Sequence, residues 1–237
     1  MTTITAYRIN TSGDFQLDWP TVKISIRNSK LAKAPRKMPN WSIPAGLTCP
    51  GASAFCVKCY AKNGFFNMPR VRNAYDSNLE ASKHPHFVPA MIQAITDIGD
   101  DKFRIHASGD FYSVAYIQAW QAIAEAMPHV TFFGYTRSWN VPGLVNALEA
   151  LRALPNVQLF ASLDDTMPDA PIGWRVAYME GTQRLTYKPS GKLALLKGMV
   201  CLEQVGKKPD CASCGYCFIK KAGDVEFIEH STMKPKA

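Results

Sequence analysis

A chain of 237 residues that is 47% hydrophobic and 11% aromatic has ample material for a buried core, in one large domain or two small ones, which excludes intrinsic disorder and a peptide-hormone role. Its longest apolar runs fall well short of the ~20 residues that span a bilayer, and Met1 to Arg8 lack the basic-then-apolar order of an export signal, so a soluble cytoplasmic protein with no membrane partner is expected. Lysine and arginine (27) exceed aspartate and glutamate (19) by a net +8, a field that attracts polyanions, nucleic acid first; the excess is scattered over small clusters at 30–37, 207–208 and 220–221, which an ordinary solvated surface also explains.

In chain order, 22–26 reads as an extra or first strand, and 70–82 and 86–98 as helices. Pro69 suits the first turn of the former, and Val88, Met91, Ile92, Ile95 and Ile98 stripe the latter. Phe103 to Ala107 is a run of strand formers broken by Ser108-Gly109-Asp110. The helix after it is expected to be capped by Ser113 and to bury Ile117, Trp120, Ala124 and Met127, with Pro128 as its stop. Val130–Thr136 is the next strand, followed by a helix capped by Asn140 with Leu144, Val145, Leu148 and Leu151 inward. Val157–Leu163, Trp174–Met179 and Asp224–Glu229 complete the strands, while 181–187 reads as a turn into a strand.

Strand starts near 103, 130 and 157 recur about every 27 residues, the rhythm of right-handed βαβ units around a parallel sheet. The fold class expected is α/β: a partial or complete (β/α) TIM-like barrel over 1–200 with a cysteine-rich C-terminal segment over 201–237 packed on it, and an open doubly wound sheet as the rival. In either case the chemistry belongs at the carboxyl ends of the strands. Three successive ends are polar: His106, Ser108, Gly109 and Asp110; then Tyr135, Thr136, Arg137 and Ser138; then Ser162, Asp164 and Asp165.

Seven cysteines fall into two groups: Cys49, Cys56 and Cys59 in front, then Cys201, Cys211, Cys214 and Cys217 behind. An odd count with two-residue gaps, in a chain without an export signal, argues for metal ligation rather than disulfides. Three thiolates on a compact loop suit an iron–sulfur cube and leave one iron open to a small molecule; zinc there needs a fourth ligand, for which His84, His86 and His106 are candidates. The four rear thiolates form a closed set, for a second cluster or a structural zinc. Cys201 can instead complete the front group, leaving Cys211, Cys214 and Cys217 as the open set. Lys207, Lys208, Lys220 and Lys221 flank the rear loop and offset thiolate charge.

Cys49-Pro-Gly-Ala52, Cys56-Val-Lys-Cys-Tyr-Ala61, Ser108-Gly-Asp-Phe111, Gly134-Tyr-Thr-Arg-Ser-Trp139 and the terminal CxxCxxC together resemble a phage-encoded family, gene product eighty-eight, over roughly residues 40–220. More distantly the same features are similar to radical S-adenosylmethionine (SAM) enzymes. The first resemblance implies a protein of the host cytoplasm. The second implies a [4Fe-4S] cluster on Cys49, Cys56 and Cys59 with SAM chelating its open iron, and Ser108, Gly109 and Asp110 at the SAM ammonium. It also implies Thr136, Arg137 and Ser162 at the ribose and carboxylate, and an auxiliary cluster on Cys201 to Cys217. The first cysteine gap here is six residues rather than three, and Lys58 stands where that superfamily has an aromatic residue. A descendant that kept the cluster and lost SAM cleavage carries the same pattern.

Three readings follow: radical chemistry on an unidentified substrate; an iron–sulfur protein that carries electrons, senses or staples; and a zinc-stabilised nucleic-acid-binding module with Phe65, Phe66, Trp139 and Tyr216 as stacking aromatics. Asp164 and Asp165, adjacent on an extended chain, point to opposite faces and do not suit joint acid–base work. His84-Pro-His86 reads as a solvated turn.

Overall fold

The computed structural model describes residues 3–5, 19–26, 28–187, 192–219 and 222–228. The elements run β1 (Thr3–Thr5), β2 (Lys23–Ser25), β3 (Asn40–Trp41), α1 (Pro69–Ser82), α2 (Phe87–Ile98), β4 (Lys102–Ile105), α3 (Val114–Ala126), β5 (Thr131–Thr136), α4 (Pro142–Ala153), β6 (Val157–Leu163), β7 (Arg175–Met179), β8 (Leu185–Tyr187), β9 (Leu193–Leu195), β10 (Met199–Val200), α5 (Cys211–Cys214) and β11 (Val225–Phe227). Nine strands form one sheet in the order β1-β2-β3-β4-β5-β6-β7-β11-β10; β8 and β9 make a separate antiparallel hairpin. From β3 through β7, β11 and β10 every pairing is parallel, while β1–β2 and β2–β3 are antiparallel, so the expected strand near 22–26 belongs to the antiparallel edge. Between β3 and β7 the order follows the chain, without the reversal of a doubly wound sheet.

The expected helices form where their stops and caps put them. Ser113 Oγ accepts from the Tyr116 amide at 3.2 Å and opens α3, and Gly99, left-handed at φ +69°, closes α2. Asn140 does not cap α4: residues 138–140 form a 3₁₀ turn and Pro142, with φ preset for a first helical turn, starts the helix behind Val141. β4 stops at Ile105, short of the expected Ala107, because His106 turns to φ +63°.

One sheet face carries the helices: Phe103, Ile105, Phe132, Leu159 and Val176 pack with Trp120, Ile117 and Leu148 of α3 and α4 in the main core. On the opposite face Phe133, Phe160, Ala177 and Val225 are covered by two irregular stretches, around Leu31–Met38 and around Cys201–Phe218. A sheet buried on both faces needs apolar residues at consecutive positions, and β6, buried at six of its seven positions, has them. Among the described residues no helix is long and apolar enough to cross a membrane.

Candidate functional site

The front cysteines ride a loop that begins after β3. The Thr48 amide and hydroxyl donate to the Pro44 carbonyl at 3.3 and 2.7 Å, closing a turn in which the Gly46 amide donates to Cys49 Sγ at 3.3 Å. Short 3₁₀ turns follow at Ala54–Lys58, Tyr60–Lys62 and Gly64–Asn67, with Cys56 inside the first and Cys59 at the junction of the first two. Three anchors hold the loop to the strand ends. Gly51 lies against the end of β5, where a Cβ would stand 2.2 Å from the Arg137 carbonyl oxygen. Gly109, at φ +81°, has room only for hydrogen beside Ile43 and Thr48. Tyr60 Oη donates to the Ala107 carbonyl at 2.8 Å.

The rear cysteines lie between β10 and β11. The Cys201 amide donates to the Glu226 carbonyl at 2.8 Å, and those of Cys211 and Ala212 donate to the Lys30 and Leu31 carbonyls at 3.0 and 2.9 Å. Asp210, fully buried, opens α5 by accepting from the Ser213 amide and hydroxyl, and it also takes the Lys33 amide and the Arg36 guanidinium. Arg175, stacked 4.1 Å over Phe160, donates to the carbonyls of Tyr216, Ile219 and Gly223 and so fastens the segment to β7. Cys217 Sγ accepts from Tyr135 Oη at 3.0 Å.

Both groups open on one cavity of about 400 Å³, and all seven cysteines line it. All seven are free thiols. Burial, then the nearby Asp110 carboxylate, pushes the Cys49 thiol up to about 11; burial pushes Cys211 to about 12 and also raises Cys59 and Cys217. These four thiols stay protonated at neutral pH unless a cation joins them. Cys56 and Cys59 lie within electrostatic reach of Cys49, and Cys201 and Cys214 within reach of Cys217. Among the described residues no three His, Cys, Asp or Glu side chains close to the spacing of single-ion ligands, which for tetrahedral zinc–thiolate is about 3.8 Å between sulfurs. The cations whose charge reaches Cys211 are Arg104 and Lys30, and that reaching Cys217 is Arg175; Lys207 and Lys208 are exposed, and Lys220 and Lys221 lie outside the described residues.

Of the polar strand ends, His106, Ser108, Gly109, Asp110, Tyr135, Arg137 and Ser162 line the cavity, and Thr136 is not among its lining residues. Ser108 Oγ donates to the Ile43 carbonyl at 3.0 Å. Buried Asp110 accepts from the Phe111 amide (2.7 Å), Thr136 Oγ1 (2.6 Å) and the Arg137 amide (2.8 Å). The Arg137 guanidinium ion-pairs with Asp164 and donates to Ser53 Oγ at 3.0 Å. Ser162 contributes its carbonyl to Trp139 Nε1 at 3.0 Å. Asp164 is buried and Asp165 exposed, and Asp165 lies in the turn after β6 rather than on extended chain. His106 lines the cavity with Nε2 engaged by Tyr116 Oη, whereas the His86 amide donates to His84 Nδ1 at 3.1 Å in a turn outside the cavity. Trp139 is core, and Phe66 and Tyr216 line the cavity. Sequence reasoning missed Tyr60, Arg104, Tyr135 as a sulfur partner, and Asp210; alternation in Lys102-Phe-Arg-Ile105 was the available signal for Arg104.

Asp164 ties the front loop to β6. Burial works against its charge, but Ser53 Oγ at 2.5 Å, the Thr166 hydroxyl and amide at 2.6 and 2.9 Å, and Arg137 hold its pKa down to about 2. A depressed carboxylate stabilises the fold above its unfolded pKa near 4 and loses that contribution as pH falls through 2, here about 2 kcal/mol. Urea midpoints should therefore drop between pH 4 and 2, and Asp164→Asn should flatten that limb while lowering stability at pH 7. An unchanged acid limb in Asp164→Asn contradicts this assignment.

The profile of a family described as "Gene product 88" matches residues 19–220. The "Gene 88 protein" of Mycobacterium phage D29 is 28% identical over 201 residues, covering 73% of this chain and 78% of that protein. The "Gene 88 protein" of Mycobacterium phage L5 is 28% identical over 200 residues with the same coverage. No solved structure matches.

Proposed function

The chain belongs to the gene product 88 family, and from that premise we propose that it is an iron–sulfur protein of phage origin acting in the host cytoplasm. In this reading Cys49, Cys56 and Cys59 hold a [4Fe-4S] cluster with one iron open, and Cys201, Cys211, Cys214 and Cys217 hold a second centre. One observation carries it: seven free thiols, split three and four, line a single cavity. Burial that keeps the Cys49, Cys59, Cys211 and Cys217 thiols protonated makes these four poor nucleophiles and good ligands for a soft multiply charged cation, whose charge offsets desolvation of the thiolates. The sequential strand order with helices on one face supports a partial (β/α) barrel like that of radical-SAM enzymes over 1–200, with 201–237 as a cysteine-rich segment closing its inner face.

When bound, such a cluster supplies a one-electron donor and an iron that accepts an outside ligand. The chain's own part is to place and shield it. Gly51 and Gly109 let the front loop lie against the strand ends, Tyr60 pins it, and Arg175 with Asp210 holds the rear segment over the cavity. For SAM as the outside ligand, Ser108, Gly109, Asp110, Arg137 and Ser162 lie on the cavity wall.

A second reading, an iron–sulfur protein without SAM chemistry, is favoured by a specific observation: the two groups a SAM amino-acid end needs are occupied. Asp110 already accepts three hydrogen bonds and Arg137 already holds the Asp164 carboxylate.

Anaerobic purification with iron and sulfide quantitation tests the shared claim. Cys56→Ala should remove one cluster's worth of iron, about half in a two-cluster protein, and Cys214→Ala should remove the other. A colourless, zinc-loaded protein, or unchanged iron in Cys56→Ala, overturns the front assignment. SAM cleavage to 5′-deoxyadenosine under strong reductant selects the first reading; an intact reducible cluster that leaves SAM uncut selects the second.

A further inference from the structure

Arg104 is not among the metal-holding or SAM-binding residues of the readings above. Alternation along β4 sends Phe103 and Ile105 into the helix-side core and Arg104 to the opposite face, where it lines the cavity. Its Nε donates to the His106 carbonyl at 3.2 Å and its guanidinium lies 5.2 Å from the centre of the Tyr135 ring. The groups whose charge reaches it are Tyr60, Tyr135, Cys211 and Cys217. Among the described residues no carboxylate stands within ion-pair distance of it.

The other charged groups on the wall are engaged. Lys30 pairs with Glu203 at 3.4 Å, Arg137 with Asp164, and Asp110 accepts from three donors. His106 is neutral: burial, and then Arg104, bring its pKa down to about 3. His106 Nε2 shares a 2.8 Å hydrogen bond with Tyr116 Oη, which also accepts from Trp41 Nε1 at 2.8 Å. His106 Nδ1 is buried, closed off from the cavity surface, and has no partner. The Arg104 guanidinium, which also hydrogen-bonds the Tyr60 side chain, is thus left without a carboxylate partner in a cavity whose wall includes Phe55, Phe66, Phe218 and Phe227.

We propose that this cavity binds a small organic acid, a carboxylate or a phosphate ester on an apolar body, and that Arg104 takes its acidic group. A volume of about 400 Å³ falls within the ~300–1,000 Å³ typical of small-molecule sites. The planar guanidinium fork matches two oxygens of such an acid, a geometry lysine cannot reproduce. The inference places the acid in the same cavity as the proposed metal centres, on its Arg104 side, and the test below reads acid binding separately from metal content.

Calorimetric titration of the full chain, as purified anaerobically, with benzoate, phenyl phosphate and the neutral isostere benzamide tests it. One acid at least should bind tenfold or more tighter than the amide, and the preferred acid identifies carboxylate or phosphate as the source. Arg104→Gln should weaken that acid by about tenfold and leave benzamide unchanged, and Arg104→Lys should recover only part of the difference. Equal binding of acid and amide, binding of neither acid, or acid binding untouched by Arg104→Gln overturns the proposal. So does an Arg104→Gln protein that loses metal and visible absorbance while keeping its preference for acid over amide, because the arginine then serves the thiolates alone. If Arg104→Gln fails to fold, an acid-to-amide ratio that does not fall in Arg104→Lys overturns it equally.

Discussion

Gly51→Ala should lower the melting temperature by roughly 6–12 °C and, where the front cysteines hold the proposed cluster, lower the iron content. The added Cβ would stand 2.2 Å from the Arg137 carbonyl oxygen, 2.5 Å from its carbon and 2.8 Å from the Ser138 amide nitrogen. All three are backbone atoms at the carboxyl end of β5, and none can swing aside as a side chain does. The front loop must lift instead, taking Cys49, two residues away, with it and stretching the 3.4 Å contact from Asn140 Nδ2 to the Gly51 carbonyl. Overpacking of this kind costs about 3 kcal/mol, and a chain of this size shifts by about 2–4 °C per kcal/mol. Gly143→Ala is the matched control: nothing lies within 4 Å of its Cβ position, and it sits in the first turn of α4, so its melting temperature should hold or rise slightly. Differential scanning calorimetry with metal analysis reads both; a Gly51→Ala protein as stable and as metal-loaded as its parent contradicts the docking of this loop on β5.

Asp110→Ala should destabilise the protein by about 3–5 kcal/mol, since it strands the Phe111 and Arg137 amides and the Thr136 hydroxyl, each an unpaired buried donor worth about 1–3 kcal/mol. Asp110→Asn should cost distinctly less at pH 7. Burial raises the Asp110 pKa more than its hydrogen bonds from Thr136 and Arg137 lower it. A raised carboxylate stabilises most below the ordinary carboxylate range and loses that contribution as pH rises through its folded pKa, so a neutral amide escapes the desolvation cost that the native carboxylate bears at pH 7. Urea midpoints for the two variants at pH 7 decide the matter. Equal losses, or an Asp110→Ala loss under 1 kcal/mol, contradict the role of this carboxylate as the tie between the ends of β4 and β5.

Much of the architecture was legible because its signals are local. Ser113 caps α3 through its own hydroxyl, Pro69 opens α1, and the rhythm of apolar runs near 103, 130 and 157 places β4, β5 and β6 in parallel register with α3 and α4 between them. Where local signals competed, tertiary packing won. Asn140 has the chemistry of a cap, yet Pro142 starts the helix and the Asn140 amide turns to Gly51. β3 is too short, at two residues, to show any period. The site divides in the same way. That seven cysteines form a group of three and a group of four is a matter of spacing along the chain. That Arg137 is committed to Asp164, 27 residues on, and that Asp210 anchors residues 33 and 36 far upstream, are matters of approach in space.

The order of residues alone therefore determined the alternation of strands and helices and the two thiol groups, because caps, stops and ligand spacing act within a few residues of one another. Only the folded chain decided that both groups share one cavity and that Arg104 faces it without a carboxylate. It also decided that Asp110 and Arg137 are taken up by their own neighbours. Charge balance in a buried space depends on which side chains the sheet brings together, and pairing across strands sets that at separations no local pattern spans.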